Sequence, residues 1–297
     1  MTDPLASSGL VVVDKPQGMT SHDVVSRLRR IFQTRRVGHA GTLDPMATGV
    51  LVVGIERGTR FLAHLVTATK AYDATIRLGA ATSTDDAEGE VLSEASAAGV
   101  AESDVLAAMA ELTGDIMQRP AAVSAIKIDG RRAHELVRSG ETVELPPRPV
   151  TVSRFEALAF RRTGDFLDVD VSVDCSSGTY IRSLARDLGS ALGVGGHLTA
   201  LRRTEVGPFE LADALTLEQL EESPRLSLTL DEALARSYPV LPVTEEEAEA
   251  LAMGKWLEPR GLKGVHAAVA PDGRSIALIR EKGKRLATVF VARPNTL

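Results

Sequence analysis

The segment from Val37 to Val53, which reads VGHAGTLDPMATGVLVV, constrains the fold of this chain more than any other. Gly38 and Gly41 permit backbone conformations that other residues avoid. Pro45 has no amide donor and favours an extended or turn geometry at the residue before it, Asp44. The apolar run VLVV at the end of the segment predicts a buried strand. The sequence therefore predicts a carboxylate on a small-residue loop that leads into the core.

The carboxylate in this segment has two interpretations. An Asp-Pro pair is common in turns, where the carboxylate hydrogen-bonds the nearby backbone. A carboxylate on a rigid loop beside a buried strand also suits a catalytic or binding site. Residues 37–53 alone do not decide between the two, and the choice depends on the rest of the chain.

The composition is typical of a soluble globular enzyme, and the length predicts two domains. The chain has 297 residues, of which 44% are hydrophobic and 25% are charged. Neither a long apolar run nor a signal peptide is recognisable, so we expect a cytoplasmic protein that does not bind membranes. Cys175 is the only cysteine, so no intramolecular disulfide can form. The six histidines are scattered, which disfavours a transition-metal site.

The distribution of charge leaves two interpretations open. A net charge of −6 argues mildly against a nucleic-acid ligand, because affinity for phosphates depends on Lys and Arg. Acidic residues gather at 85–90 and 245–249, away from a basic group just ahead of the Asp44 loop. That group comprises Arg27, Arg29, Arg30, Arg35 and Arg36. Such a group is either a solvated helix face or a phosphate-binding surface, and its position favours the second interpretation.

Hydrophobic periodicity predicts a mixed α/β fold. Apolar or alternating runs predict strands at 9–13, 50–54, 71–78, 152–160 and 166–174. Apolar residues at helical spacing predict helices at 22–33, 103–113 and 180–192. Thr20 and Ser21 are both candidates for the residue that caps the first of these helices.

Proline-rich stretches predict the domain organisation. Residues 118–150 contain several prolines, a short helix near 133–138 and a group of basic residues, which predicts an insertion that projects from the main sheet. A boundary near 226–242 is expected from Pro239 and Pro242. We therefore predict a catalytic domain over residues 1–235 and a small β-rich domain over residues 236–297.

Three further segments bear on the Asp44 loop. They read GLVVVDKPQGMTSHDVV (9–25), KAYDATIRLG (70–79) and CSSGTYIRSLARDLG (175–189). Together with residues 37–53 they resemble, in order, the motif set of the bacterial tRNA pseudouridine synthase B (TruB) family. The resemblance implies the pseudouridine synthase fold of the α/β (α+β) class. That fold has a central mixed, largely antiparallel sheet, an RNA-gripping insertion and a small PUA-like RNA-binding domain at the C-terminus.

The resemblance also implies an activity. The family converts the uridine at position 55, in the T arm of tRNA, to pseudouridine. This reaction breaks the C1′–N1 bond, turns the uracil and rejoins it through C5, with no redox change. The target base is stacked in folded RNA, so it must first be flipped out. The expected partner is therefore the T-arm stem-loop of tRNA, no cofactor or metal is expected, and we predict a monomer.

Each site residue is carried over from a matching motif position. Asp44 matches the nucleophile in GTLD, which can attack C1′ or C6 or take part in a route through a glycal. Arg182 matches the basic partner that keeps this carboxylate charged. Tyr72 matches an active-site tyrosine that can stack on the uracil and take part in proton transfer. Further substrate contacts are implied for His39, Tyr180, Leu201 and Lys15.

Two other functions remain open at this stage. A non-catalytic protein that binds or folds tRNA would keep the same pocket. A glycoside hydrolase also attacks an anomeric carbon, but it normally needs a second positioned carboxylic acid, and no obvious one lies near Asp44 in the sequence. The chain departs from the family at Val123 and His134, where aromatic residues are common. These changes affect the expected RNA contacts of the insertion.

Overall fold

In a computed structural model of the chain, the described residues are 3–65, 68–124, 127–128, 131–132 and 145–297. They form two compact units. The first unit comprises Met1–Pro45, Gly49–Val66 and Val206–Leu297, and the second comprises Met46–Thr48 and Thr67–Glu205. The short helix predicted near 133–138 lies outside the described residues.

Both units contain strands and helices. The strands are β1 (Gly9–Lys15), β2 (Val37–Ala40), β3 (Thr48–Ile55), β4 (Lys70–Leu78), β5 (Ala80–Thr82), β6 (Val91–Glu94), β7 (Gly114–Gln118), β8 (Lys127–Ile128), β9 (Arg131–Arg132), β10 (Arg148–Thr163), β11 (Phe166–Cys175), β12 (Gly196–Val206), β13 (Phe209–Glu210), β14 (Leu228–Thr229), β15 (Val240–Pro242), β16 (His266–Val269), β17 (Ser275–Lys282) and β18 (Arg285–Val291). The helices are α1 (Ser21–Ile31), α2 (Gly58–Phe61), α3 (Glu102–Glu111), α4 (Ile181–Ala191), α5 (Leu217–Glu222), α6 (Leu230–Ser237) and α7 (Glu245–Ala252).

The core of the first unit is built on β1 and β3. The two strands pair antiparallel along their whole length, from Gly9 opposite Ile55 to Lys15 opposite Gly49. Both are continuous apolar runs because both of their faces are buried. Strands β14 and β2 add antiparallel neighbours to β1 and β3, respectively. The strands predicted at 9–13 and 50–54 are confirmed, and each is slightly longer than expected.

Helix α1 begins at a capping box. The Thr20 hydroxyl accepts a hydrogen bond from the Asp23 amide at 3.0 Å, and the Asp23 carboxylate accepts one from the Thr20 amide at 2.9 Å. Val24, Val25 and Leu28 form its buried face. The predicted helix over 22–33 is therefore confirmed, with Thr20 as the capping residue, and it ends two residues earlier than expected.

The second unit is built on strands of its own. Its strands follow the order β12-β4-β11-β10-β7, and the β4–β11, β11–β10 and β10–β7 pairs are antiparallel. Strand β4 shows the alternation of buried and accessible side chains that the sequence predicts.

Helix α4 packs closely on the loop that follows it. Ile181, Leu184 and Leu188 lie on its buried face. A Cβ atom added at Gly189 would lie 2.1 Å from the backbone of Gly195, so only glycine allows this approach. The strands predicted at 71–78, 152–160 and 166–174 and the helices predicted at 103–113 and 180–192 are confirmed.

The C-terminal part of the first unit has a sheet and a core of its own. Strands β15 and β16 are parallel, whereas β16, β17 and β18 follow one another antiparallel. Leu251 of α7, Ile279 of β17 and Leu286 of β18 are fully buried in this core. The expected fold class is confirmed: a mixed α/β fold with a largely antiparallel central sheet and a small β-rich C-terminal sheet. None of the described helices has the length and apolar character needed to cross a membrane.

A single guanidinium joins this C-terminal sheet to distant parts of the same unit. Arg293, whose side chain is only 11% exposed, donates to both carboxylate oxygens of Asp3, at 2.8 and 2.9 Å, and also to Asp231 of α6. The Asp231 carboxylate further accepts the amide of Ser275 at 2.9 Å. The hydrogen bond from Arg293 is the main cause that lowers the pKa of Asp3 to about 2.

We expect Arg293→Met to lower the free energy of unfolding by about 1–3 kcal/mol, because it leaves Asp231 without its charged partner. The range allows for the exposure of Asp3, whose charge is screened by water. Urea denaturation at pH 7 measures this loss.

The matched control is Arg274→Met in the turn before β17, because Arg274 pairs with Asp272 and Glu245, both of them half exposed. The loss of unfolding free energy in this control should stay below about 1 kcal/mol.

The pKa of Asp3 is lowered in the folded state, so the stabilisation that Asp3 contributes is present above pH 3.8 and is lost as the pH falls toward 2. The difference between wild type and Arg293→Met should narrow over that window. Equal losses of unfolding free energy in Arg293→Met and Arg274→Met would contradict the stabilising role assigned to Arg293.

Candidate active site

The turn that carries Asp44 is held on both sides, by the first residue of α1 and by the segment that precedes this helix. The Ser21 hydroxyl accepts the Leu43 amide at 2.9 Å and donates to the Leu43 carbonyl at 3.2 Å. The Gly18 amide donates to the Pro45 carbonyl at 2.7 Å. The backbone is thus held immediately before and immediately after Asp44, whose side chain is half-buried. A turn fixed in this way holds a carboxylate in one place, as catalysis requires.

Lys15 stabilises the same turn through a hydrogen bond to its backbone. Its side chain is fully buried, and its ammonium donates to the carbonyls of Met19 at 2.6 Å, Pro16 at 2.9 Å and Pro45 at 3.4 Å. An ammonium has three donors, and the low polarity of a buried site makes these bonds necessary. Lys15 therefore has a clear role in shaping the loop, while its contact with substrate stays a prediction.

The other predicted site residue of the first unit, His39, lies on β2 opposite Val53 of β3 and is half-buried. The remaining ones belong to the second unit. Tyr72 lies on β4 opposite Val173 of β11, and Leu201 lies on β12; both are buried.

Tyr180 stands at the first turn of α4 and is held by a glutamine that the sequence analysis missed. The Gln118 side chain accepts the Tyr180 amide at 2.8 Å and donates to the Tyr180 carbonyl at 3.1 Å. Gln118 is only 1% exposed. A buried glutamine with both amide atoms bonded to one residue fixes that residue's backbone. Its position at the end of β7 gave no sequence signal of this role.

Arg182 follows on the same turn and is held from three directions. Its guanidinium donates to the carbonyls of Thr84 at 3.0 Å and Val123 at 2.9 Å, and its Nε lies 3.9 Å from a carboxylate oxygen of Asp86. The Arg182 and Asp86 residues are 4% and 3% exposed. The Asp86 carboxylate also accepts the Glu88 amide. Since a guanidinium stays charged when buried, this carboxylate offsets its desolvation.

Asp86 differs in burial from most other residues of its acidic loop. The loop at 85–90 does contain exposed residues, but Asp86 itself points inward and pairs with Arg182. Its neighbour Asp85 is also largely enclosed, and burial raises its pKa despite an ion pair with Arg186 at 3.3 Å. No local sequence pattern distinguishes these aspartates from ordinary turn residues.

Comparisons with known proteins agree with this arrangement of motifs. The family model described as TruB family pseudouridylate synthase (N terminal domain) matches residues 29–181. The models described as tRNA pseudouridylate synthase B C-terminal domain and tRNA Pseudouridine synthase II, C terminal, match residues 182–244 and 238–293. The chain is 78% identical to tRNA pseudouridine synthase B of Corynebacterium aurimucosum, over 100% of both chains. The chain belongs to the TruB family of pseudouridylate synthases. It is therefore an enzyme, an isomerase of this family.

Solved structures share the fold of this TruB family member. A chain of a Cbf5–Nop10–Gar1 complex superposes with a TM-score of 0.74 at 28% identity, covering 98% of this chain and 87% of that one. A chain of an H/ACA RNP bound to a substrate RNA containing 2′-deoxyuridine gives a TM-score of 0.72 at 26% identity, covering 98% and 86%. The resemblance inferred from the motifs is confirmed.

Two further basic residues of the second unit, Lys70 of β4 and Arg203 of β12, are close enough to affect each other electrostatically. Lys70 of β4 lies opposite Cys175 of β11. Burial, followed by the charge of Arg203, lowers the pKa of Lys70. Burial also raises the pKa of the Cys175 thiol to about 11, although a hydrogen bond with Thr179 and the charge of Lys70 act in the opposite direction.

The arginines ahead of the Asp44 loop are less uniform than the sequence suggests. Arg27 forms a bidentate pair with Glu221 of α5, at 2.6 and 2.9 Å, and Arg36 lies 3.5 Å from Glu56. Within the described ranges, Arg29, Arg30 and Arg35 have no carboxylate within 4.0 Å, and Arg29 lies 3.5 Å from the Val37 carbonyl. The phosphate-facing role of the group stays a prediction. Across the described ranges, no group of three or more His, Cys, Asp or Glu side chains is arranged to hold a metal ion.

The two hydrogen bonds between Ser21 and Leu43, which clamp the Asp44 turn, predict that Ser21 affects activity without needing to touch substrate. Ser21→Ala removes both hydrogen bonds to Leu43. We expect the single-turnover rate of pseudouridine formation to fall about 10- to 100-fold, because the carboxylate is no longer held in place. Ser26→Ala, on the same helix, should leave this rate unchanged. A rate for Ser21→Ala that matches wild type would show that the clamp does not position the carboxylate.

The environment of Cys175 predicts an unreactive thiol. Only the thiolate reacts rapidly with iodoacetamide, and a buried thiol with a pKa of about 11 forms almost none at pH 8. Mass spectrometry should find no alkylation of the folded protein at pH 8 and complete alkylation in 6 M guanidinium chloride. Rapid alkylation of the folded protein would mean that Cys175 is accessible.

Proposed function

We propose that this TruB family enzyme converts uridine 55, in the T arm of tRNA, to pseudouridine, with Asp44 as the nucleophile. The observation that carries the proposal is the clamped turn of Asp44 in a chain that matches tRNA pseudouridine synthase B of Corynebacterium aurimucosum along its full length. The T-arm position rests on the GTLD, KAYDATIRLG and GTYIRSL motifs described above.

The chemistry explains why these residue types are needed. Isomerisation breaks the C1′–N1 bond, forms a C1′–C5 bond, and transfers the equivalent of one proton from C5 to N1, so atoms and electrons balance without a co-reactant. The uracil must be detached and turned without being lost, which requires an enclosed site. An ionised Asp44 can attack C1′ of the ribose or C6 of the base, and a route through a glycal also meets these requirements.

Arg182 is proposed as the cation that this carboxylate chemistry requires. Burial disfavours an ionised carboxylate, and a permanently charged guanidinium compensates for that cost. The support for this role is that Arg182 is itself buried and is oriented by Asp86 and by two carbonyl oxygens. A guanidinium held in this way needs little reorganisation when charge develops in the transition state.

Tyr72, Tyr180, Leu201 and His39 are proposed to receive the flipped nucleotide, and Lys15 to support the loop beneath it. An aromatic ring is a sequence-tolerant stacking surface for an extruded base. The fixed backbone of Tyr180, held by Gln118, supports a positioning function for that residue. We also propose that residues 236–297 form a PUA-like RNA-binding domain attached to a catalytic domain of residues 1–235. The expected monomeric state and cytoplasmic location stay predictions.

Asp44→Asn tests the proposal directly. The substitution keeps the size of the side chain and removes its charge. We expect the rate of pseudouridine formation in an unmodified tRNA transcript to fall by about four orders of magnitude or more. The dissociation constant for tRNA should change by less than about threefold, because the RNA-binding surfaces are intact. Mass spectrometry of nuclease fragments measures both the amount and the position of the product.

Asp73→Asn is the matched control, since Asp73 is an exposed aspartate on β4 next to Tyr72. It should react at the wild-type rate.

An isolated T-arm stem-loop should be modified, and a transcript with cytidine at position 55 should not. Full activity of Asp44→Asn would rule out Asp44 as the nucleophile. Product at another uridine would rule out the assignment to position 55 of the T arm. A wild-type chain that binds tRNA without reaction would favour the binding or folding function.

A further inference from the structure

An exposed tryptophan in the C-terminal sheet is held in place by buried neighbours. Trp256 is the only tryptophan in the chain, and 47% of it is exposed. The next residue, Leu257, exchanges two backbone hydrogen bonds with Leu286 of β18, at 2.9 and 3.0 Å. Leu257 and Leu286 point into the core. Because side chains alternate along extended backbone, Trp256 and Arg285 both point outward from this pairing.

Three cations line the same pocket as the indole. The Arg285 guanidinium carbon lies 4.6 Å from the centre of the Trp256 ring, which is a cation–π contact. Lys282 and Lys284 belong to the tight turn between β17 and β18, where Gly283 adopts a φ of 62°. Trp256 and these three cations line an open pocket of about 460 Å³.

The cations of this pocket differ from two arginines in the loops of the same C-terminal segment. In the part of the chain that the structure describes, Lys282, Lys284 and Arg285 have no carboxylate within 4.0 Å. By contrast, Arg260 and Arg274 both have carboxylate partners. The nearest acidic residue in the hairpin, Glu281, accepts the amides of Arg260 and Leu262 at 2.8 and 3.1 Å. A chain with a net charge of −6 therefore has a local positive surface here.

The combination of free cations and an exposed aromatic ring specifies the ligand class. Phosphates bind exposed Lys and Arg, and an unpaired base can stack on an aromatic side chain. An acidic peptide would use the cations and leave the indole unused. We propose that Trp256, Lys282, Lys284 and Arg285 form an RNA-binding site that takes an unpaired nucleotide of the substrate and its neighbouring phosphates. This inference rests on the proposed function, because the RNA that binds here is taken to be the tRNA substrate.

The single tryptophan makes the proposal directly measurable, because all tryptophan fluorescence comes from this site. The full chain is titrated with unmodified tRNA transcript at low salt, and emission is followed to saturation. Stacking of a base on Trp256 should quench the emission with the same midpoint as binding measured on filters. Trp256→Ala should weaken binding about tenfold, whereas Trp256→Phe should stay within about threefold of wild type because a stacking surface remains.

A charge-matched pair of variants separates this site from general electrostatic attraction. Lys282→Ala/Lys284→Ala removes two unpaired cations, and Arg260→Ala/Arg274→Ala removes two ion-paired cations from loops of the same C-terminal segment. The first variant should weaken tRNA binding about tenfold and reduce the slope of log affinity against log salt by about 1.5–2, since two phosphate contacts are lost. The second should stay within about twofold in affinity, with an unchanged slope.

Three results would overturn the inference: tRNA that saturates the protein on filters without changing its emission, equal affinities for the two double variants, or polyglutamate that competes as well as RNA. None of these measurements depends on the reaction. Quenching without pseudouridine formation would reject the proposed function and leave this site standing. Pseudouridine formation without quenching would reject the site alone.

Discussion

A buried polar group needs a partner, and in the first unit this requirement fixes the position of Asp44. The Lys15 ammonium is fully enclosed, so it must bond to carbonyl oxygens, and one of these belongs to Pro45, next to the carboxylate. The Ser21 hydroxyl, also buried, bonds both backbone groups of Leu43. Breaking either contact would leave a polar atom unsatisfied in the core, which is costly. The turn is therefore rigid because its supports cannot move independently.

The same rule organises the start of α4 in the second unit. Arg182 is buried, and its bonds reach the loop before β6, through Thr84 and Asp86, and the segment after β7, through Val123. Gln118 adds a bidentate link to Tyr180 on the same turn. Tyr180 and Arg182 of the GTYIRSL motif are thus positioned by residues outside that motif. Electrostatic preorganisation of this kind stabilises charge in a reaction because the dipoles are already oriented before it begins.

The C-terminal sheet shows how one alternating pattern serves two purposes. Inward residues such as Leu257 and Leu286 form its core, and Arg293 ties that core to Asp3 and Asp231. The outward residues next to the two leucines are Trp256 and Arg285. Stability thus depends on one face of the pairing, which leaves the other face available for a charged ligand.

The sequence by itself determined what depends on neighbouring residues. The alternation along β4, the apolar runs of β1 and β3, and a cap at Thr20 or Ser21 are local patterns, and the structure contains them with Thr20 as the cap. The motifs were also enough to identify the family, because each is a continuous stretch. Only the tertiary structure decided that Asp86 is the partner of Arg182, that Gln118 holds Tyr180 and that Arg27 is neutralised by Glu221. Each of these contacts joins residues that are more than 60 positions apart, where no local pattern specifies which side chains will be buried together.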